Sequence, residues 1–418
     1  MEQNYSKPTK ASCRFCGEKL QHTFVDLGMS PLCESYVSLD GLNRMEPFYP
    51  LHVYVCQSCF LTQLEEFVNP EAIFSEYAYF SSYSDSWLEH AKNFTDMIVG
   101  RLNLNDKSHV MELASNDGYL LQYFVEKKIP CLGIEPAANV ATDAEKRGVP
   151  TVVEFFGRET AHELVKEYGK ADLVIGNNVL AQVPDLNDFV EGTRIVLKPE
   201  GVVTMEFPHL MQLMVQNQFD TIYHEHFSYF SLTTVEKVFS AHDLVVFDVE
   251  ELPTHGGSLR IYARHADDKL KPQTERFIEL KEKENDAGFN RLEHYFTFAE
   301  KVKETKNKLL EFLIKAKREG KSIAGYGAPG KGNTLLNYCG IRTDYIDYTV
   351  DRNPYKQGKY LPGTHIPIFD PRKINETRPD YVLILPWNFK DEIMRQMSGI
   401  REWGGKFVVP IPEVRVYP

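Results

Sequence analysis

The stretch Glu112-Leu-Ala-Ser-Asn-Asp-Gly118 decides the fold, because it lies where an apolar run, Val110-Met-Glu-Leu113, meets a helical stretch. A strand that runs through a short polar loop into a helix is the opening unit of an α/β sheet, and ligands bind at the carboxyl ends of such strands. Seventeen residues after Gly118, Glu135 closes the next run, Cys131-Leu-Gly-Ile-Glu135. A carboxylate there can accept hydrogen bonds from both hydroxyls of an adenosine ribose; the alternative is a surface acid at a strand end. The loop has one glycine where a dinucleotide loop has three, which favours an adenosyl ligand without a pyrophosphate.

Working outward, Ala171-Asp-Leu-Val-Ile175 and Gly201-Val-Val-Thr-Met-Glu206 continue the alternation of strands and helices, preceded by a helical lead-in from Ser86 to Asn103. That alternation predicts an α/β fold with a parallel sheet. Residues 273 to 320 turn helical, and Ser322-Ile-Ala-Gly-Tyr326, Tyr345 to Val350, Tyr381 to Leu385 and Lys406 to Pro410 predict a second, smaller α/β domain. The expected organisation is a small domain over 1–70, an α/β domain over 71–270 and a C-terminal α/β domain with its helical connector over 271–418. At 418 residues the chain exceeds one hydrophobic core. A net charge of −12 argues against a broad nucleic-acid surface. No stretch resembles a signal peptide or a bilayer span, which predicts a cytoplasmic protein without a membrane partner.

The first segment holds Cys13-x-x-Cys16 and Cys56-x-x-Cys59. Two such pairs supply four soft thiolates for a tetrahedral zinc site, with a redox pair or coincidental buried thiols as the competing readings. Four protein ligands leave no position for water, so the metal is expected to be structural. Cys33, Cys131 and Cys339 read as free thiols.

Three further clusters stand out. Tyr223-His-Glu-His226 carries histidines suited to moving a proton near neutral pH, although a histidine taken alone is more often structural. Tyr77-Ala-Tyr-Phe-Ser-Ser-Tyr-Ser-Asp-Ser-Trp87 reads either as a lid whose phenols bind a sugar or as a packed linker. Gly325-Tyr-Gly-Ala-Pro-Gly-Lys-Gly-Asn333 follows a strand, with Asp351 after the next one, and reads either as a dinucleotide loop or as a phosphate cradle with Lys331 as its cation. Thr254-His-Gly-Gly-Ser-Leu-Arg260 adds a glycine turn beside a basic residue.

Taken together, the paired CxxC motifs, the tyrosine-rich lead-in, Glu112 to Gly118, Gly133-Ile-Glu-Pro136, Tyr223-His-Glu-His226, His255-Gly-Gly257 and Gly325-Tyr-Gly-Ala resemble the sugar 3-C-methyltransferases. These are three-domain enzymes of deoxysugar biosynthesis, and the match runs through nearly the whole chain. The resemblance implies a zinc-binding domain, a Rossmann-like methyltransferase domain that binds S-adenosylmethionine, and a C-terminal Rossmann-like domain without NAD. It places Glu112, Ala114, Asn116, Gly118, Tyr119, Glu135, Pro136 and Asn178 around the methyl donor. By the same resemblance His226 is the base, Tyr77 the oxyanion donor, Glu225 the group that orients the histidine, and Tyr223 a residue lining the methyl-donor pocket. Substrate contacts are expected from Tyr79, Ser82, Gln182, His224, His255, Gly256, Arg260, Tyr326, Gly327, Lys331 and Asn333. Gln182 departs from the family, which often has a histidine there, so a proton shuttle at that position is in doubt. The implied substrate is a nucleotide-diphosphate 4-keto sugar, usually linked to thymidine diphosphate, with guanosine or cytidine diphosphate as variants, and the implied assembly a monomer or weak homo-oligomer. Competing functions are an O- or N-methyltransferase on a similar sugar, an NAD-dependent nucleotide-sugar oxidoreductase, and a zinc-containing binding protein that keeps adenosyl affinity without catalysis.

Overall fold

The computed structural model describes residues 11–69 and 81–418. They pack into two compact units, each assembled from several stretches of chain: residues up to 22, 55–209 and 225–292 form the first, and 23–54, 210–224 and 293–418 the second.

The first unit is built on a seven-stranded sheet of β1 (Val110–Leu113), β2 (Cys131–Ile134), β3 (Thr151–Val152), β4 (Ala171–Asn177), β5 (Leu197–Pro208), β6 (Leu244–Leu252) and β7 (Ser258–His265). The spatial order is β6-β7-β5-β4-β1-β2-β3. Strand β7 is antiparallel to both its neighbours, while β1 to β5 run parallel. The order therefore reverses at β1, where the chain goes one way to β2 and later the other way to β4. In a parallel sheet that reversal opens a crevice at the carboxyl edge.

Helix Asp85–Leu102 shows why the lead-in folds as it does. Ser84 accepts from the Trp87 amide as N-cap, and Asn103 closes the far end in a left-handed conformation. Trp87, Ala91, Phe94, Thr95 and Ile98 recur at helical spacing and are buried. Trp87, Ala91, Phe94 and Ile98 join a core with Val110, Leu173, Ile175, Val202 and Tyr262, drawn from β1, β4, β5 and β7, and with Leu121 and Phe124 of helix Leu121–Glu126. Helix Glu275–Ala287 also belongs to this unit: the buried Glu284 carboxylate accepts from His209 Nε2 (2.7 Å), from the Leu232 and Thr233 amides (2.6 and 2.7 Å) and from the Thr233 hydroxyl (2.6 Å).

The second unit carries a six-stranded sheet of β8 (Ile323–Tyr326), β9 (Tyr348–Val350), β10 (Ile368–Phe369), β11 (Tyr381–Ile384), β12 (Lys406–Val409) and β13 (Arg415–Tyr417), in the order β10-β9-β8-β11-β12-β13. All pairs are parallel except the last. Two distant stretches join this unit through helices Phe298–Arg318 and Gly330–Cys339 and the turn Trp387–Phe389. Phe24 stacks on Phe298 with ring centroids 4.7 Å apart. The turn Phe219–Thr221 is held where Asp220 accepts from Trp387 Nε1 (2.7 Å) and the Thr334 hydroxyl donates to the Ile222 carbonyl (2.9 Å).

The loop after β1 depends on Gly118, whose φ is +74° and whose missing Cβ would sit 3.0 Å from Val149 and 3.1 Å from Ala144. Gly118→Ala combines a left-handed backbone with overpacking, so it should cost about 2 kcal/mol, read as a lowered thermal midpoint; an unchanged midpoint would show that the loop relaxes freely.

Candidate active site

Four residues expected around the ligands are non-glycine positions with left-handed backbone: Ala114 (φ +56°), Asn116 (+50°), Asn178 (+55°) and His255 (+55°). Such conformations are rare outside glycine and concentrate where a fold aims backbone at a ligand. Ala114, Asn116 and Gly118 alternate through the loop after β1, and Asn178 follows β4, the strand paired beside it. The two loops thus leave adjoining strand ends on the same edge of the sheet.

Glu135 holds that edge together. One carboxylate oxygen accepts from the Asn116 amide (2.8 Å) and the other from the Ala137 amide (2.9 Å), across Pro136. Burial raises its pKa while the two amides oppose the rise. Asn116 in turn accepts from the Ser81 amide (2.9 Å), and Asp117 from the Ser82 amide (3.2 Å), so the end of the lead-in is tied to the β1 loop. The Ser82 hydroxyl accepts from Arg147 (2.7 Å). Glu112, inside β1, is fully buried, and desolvation pushes its pKa well above the ordinary carboxylate range. The Tyr119 hydroxyl accepts from Asn177 (3.3 Å), and the Tyr119 ring stacks on Trp87.

A further buried carboxylate, Glu206 near the carboxyl end of β5, is marked in the sequence only by its place in a strand. It gathers three distant segments: His90 on helix Asp85–Leu102 (2.9 Å), Thr254 in the turn before β7 (2.9 Å) and Arg260 within β7 (2.7 Å). Trp87 stacks on His90 and meets the His255 ring edge-on at 5.1 Å, beside Gly256 (φ +92°). The other Arg260 amino group donates to Glu250 (3.0 Å), so this guanidinium is engaged by two carboxylates.

Glu225 and His226 are buried in the first unit. They are placed by the next residue: the Phe227 amide donates to the Ala181 carbonyl (2.8 Å), and the Phe227 carbonyl accepts from the Leu64 amide (3.0 Å). Ala181 and Gln182 belong to the turn Leu180–Gln182, just past β4 and Asn178. His226 therefore lies along the chain from an anchor on the edge that carries the β1 loop. Its ring meets Tyr229 edge-on at 6.3 Å.

Tyr223 and His224 count with the second unit. His224 Nε2 donates to the Pro50 carbonyl (3.2 Å) and its ring meets Tyr49 edge-on. In the glycine-rich loop after β8, Asp351 accepts from the Ala328 amide (2.7 Å), and Tyr36 donates to the Ala328 carbonyl (2.6 Å). Gly327 has φ +89°, and its amide donates to the Val350 carbonyl (2.6 Å). Tyr326 is buried at the end of β8. Lys331 donates to Asn388 (2.9 Å) and lies 4.7 Å from the Trp387 ring, and Asn333 donates to the Cys33 carbonyl (2.6 Å). Asp351, which follows β9, is thus engaged by the glycine-rich loop. Tyr77 and Tyr79 lie outside the described residues.

The four cysteines meet as expected. Cys13 and Cys59 sulfurs are 3.5 Å apart, as are those of Cys16 and Cys56, and all four lie within 4.8 Å of one another. Four thiolates around one zinc at about 2.3 Å would sit about 3.8 Å apart, so the sulfur cluster fits the ion. Among the described residues this is the cluster of metal-ligating type that could hold a metal ion. Cys16→Ser should take bound zinc, measured by atomic emission, from one per chain towards none and lower the thermal midpoint; retention of a full equivalent would overturn the four-sulfur site.

Glu206 supports a pH prediction. Burial raises its pKa, but the His90 hydrogen bond and the Arg260 charge outweigh burial and hold it at about 2. A depressed folded-state value means that its contribution is complete above the ordinary value of 4.5 and is lost as pH falls towards 2. At about 1.4 kcal/mol per pKa unit the upper limit is about 3 kcal/mol. In urea titrations across that acid range, Glu206→Gln should lose less stability on acidification than the parent; parallel pH profiles would show that the pairing is weak.

Three family models match successive parts of the chain: a zinc binding domain over residues 13–74, a methyltransferase domain over 87–249 and a C-methyltransferase C-terminal domain over 253–412. The C-methyltransferase NovU of Streptomyces niveus is 36% identical over 406 residues, covering 97% of this chain and 96% of that protein. Two solved structures also align: an S-adenosylmethionine-dependent methyltransferase of Anabaena variabilis (15% identity, 41% of this chain and 83% of that one, TM-score 0.35) and another of Clostridium acetobutylicum (13%, 43% and 92%, 0.34). Among the described residues no helix is long and apolar enough to cross a membrane. With a relative matched from end to end and all three models in register, the chain belongs to the C-methyltransferase family, enzymes that use S-adenosylmethionine and carry a zinc-binding domain.

Proposed function

We propose that the enzyme methylates carbon 3 of a nucleotide-linked 4-keto deoxysugar through an enolate. The observation that carries this reading is the Phe227 anchor: the hydrogen bond from its amide to the Ala181 carbonyl ties the residue after Glu225 and His226 to the edge where the β1 loop and Asn178 converge. A base fixed beside a methyl-donor pocket suits transfer to carbon, since a C–H must be broken before carbon becomes nucleophilic.

S-adenosylmethionine, when bound, supplies an electrophilic methyl group. Glu135 is the group to receive its ribose hydroxyls, on oxygens already oriented by the Asn116 and Ala137 amides. His226 takes the proton from carbon 3 of the sugar, and the C–H electron pair moves towards the neighbouring ketone. Tyr77 donates a hydrogen bond to the oxygen that becomes negative, a role that rests on the motif. Glu225 orients the imidazole. Carbon 3 then bonds to the methyl group as the methyl–sulfur bond of the sulfonium breaks, its electron pair staying on the sulfur of the departing thioether, and the ketone re-forms. Gln182 has no titrating group and positions substrate through its amide. In this reading residues 71–270 serve the methyl donor and 271–418 the nucleotide, with thymidine diphosphate the leading carrier.

His226→Asn removes the base and keeps the donor pocket. Turnover should fall at least a hundredfold while S-adenosylmethionine affinity, read by calorimetry, stays within about twofold. The assay is mass spectrometry with thymidine, guanosine and cytidine diphosphate 4-keto-6-deoxy sugars. Full activity of the variant would remove His226 as base, and a methyl group found on oxygen or nitrogen would overturn carbon transfer.

A further inference from the structure

We propose that Arg14, inside the first zinc knuckle, is a positioning residue for catalysis: it couples the cysteine cluster to the two chain segments that hold the Phe227 backbone, and so sets the place of His226. This rests on the reading of His226 as base.

The coupling is traced bond by bond within the first unit. On the metal side, the Arg14 amide donates to Gln63 Oε1 (2.9 Å), and Gln63 Nε2 donates to the Cys13 sulfur (3.1 Å). Asn187 donates to the Phe15 carbonyl (2.9 Å), fixing the knuckle from its other side. On the catalytic side, the guanidinium forks. Nη1 donates to the Pro184 carbonyl (2.8 Å) and Nη2 to the Leu64 carbonyl, while its central carbon lies 5.4 Å from the centroid of the Phe227 ring.

The two gripped segments are the ones that hold Phe227. Its amide goes to Ala181, in the turn that ends at Gln182, two residues before Pro184. Its carbonyl goes to the Leu64 amide, in strand Thr62–Leu64, which pairs antiparallel with Ser228–Tyr229. One planar side chain thus spans both supports of the residue that follows His226. Arginine fits because its fork reaches two carbonyls at once, whereas lysine is a single point charge. Partly buried carbonyls left without a donor would carry a desolvation cost, so the supports would shift if the fork were lost. Gln182 hangs from the same support, so the knuckle sets a substrate-positioning residue as well as the base.

The test uses full-length Arg14→Lys, which keeps charge and bulk but not the fork, with Arg14→Met as a second variant that keeps only apolar packing. Zinc content and S-adenosylmethionine affinity are measured first, and both should match the parent. Amide hydrogen exchange of the peptides containing Leu64 and Phe227 should then quicken. Turnover of the nucleotide sugar that the parent methylates should fall ten- to a hundredfold, the scale expected for a base displaced by about an ångström. Removing zinc from the parent with a chelator should quicken exchange in the same two peptides. The proposal is overturned if both variants keep parental turnover, if exchange at those peptides is unchanged, or if turnover falls only with loss of zinc. Failure of the base assignment looks different: His226→Asn would then stay active, while Arg14→Lys would still loosen the Phe227 peptide.

Discussion

A parallel sheet whose strand order reverses at β1 has to send the loops of two neighbouring strands apart at one edge, and the structure of the first unit is organised around that divergence. The loops after β1 and β4 leave adjoining strands, and both take left-handed backbone at non-glycine positions, at Ala114, Asn116 and Asn178. Backbone of that kind persists only where its surroundings over-determine it. Here the surroundings are the Glu135 carboxylate on the Asn116 amide and the side chains packed against Gly118.

Buried carboxylates serve as junctions elsewhere too. Glu206 joins helix Asp85–Leu102, the turn at Thr254 and strand β7, and Glu284 joins His209 to the start of helix Leu232–Ser240. Each is a desolvated charge whose oxygens are taken up by several donors, the condition under which a buried charge is tolerated. Both connect segments far apart in sequence, so they give precision to an edge that a parallel sheet alone would leave to loops. The aromatic group of Trp87, His90, Tyr119 and His255 lies around one of these junctions.

The paired cysteine knuckles fit the same logic. The knuckle segments bury Leu20, Leu61 and Leu64, and one metal with four thiolate ligands would staple the two knuckles together. Because Arg14 also reaches Pro184, two residues past the turn Leu180–Gln182, and Leu64 of strand Thr62–Leu64, the zinc module is wired into the scaffold that bears Glu225 and His226.

Much of this was legible in the amino-acid order. Strand and helix alternation is a local signal, and it gave the two α/β sheets; the cysteine pairs, with their tight spacing, gave the four-sulfur cluster; and the order of motifs pointed to the methyltransferase family. What stayed hidden was set by contacts between residues far apart in the chain. No periodicity marks Glu206 as a partner of His90 and Thr254, since the bond exists only once the helix, the turn and the strand are packed. Nothing in a CxxC motif says that its second residue will span two distant carbonyls. The Lys331 bond to Asn388 and the Asp351 bond to the Ala328 amide likewise join residues that no local pattern pairs. The sequence determined the elements and the chemical inventory because both are properties of neighbouring residues; the tertiary structure decided which polar groups satisfy one another, because a desolvated group bonds to whatever the packing brings within about 3 Å.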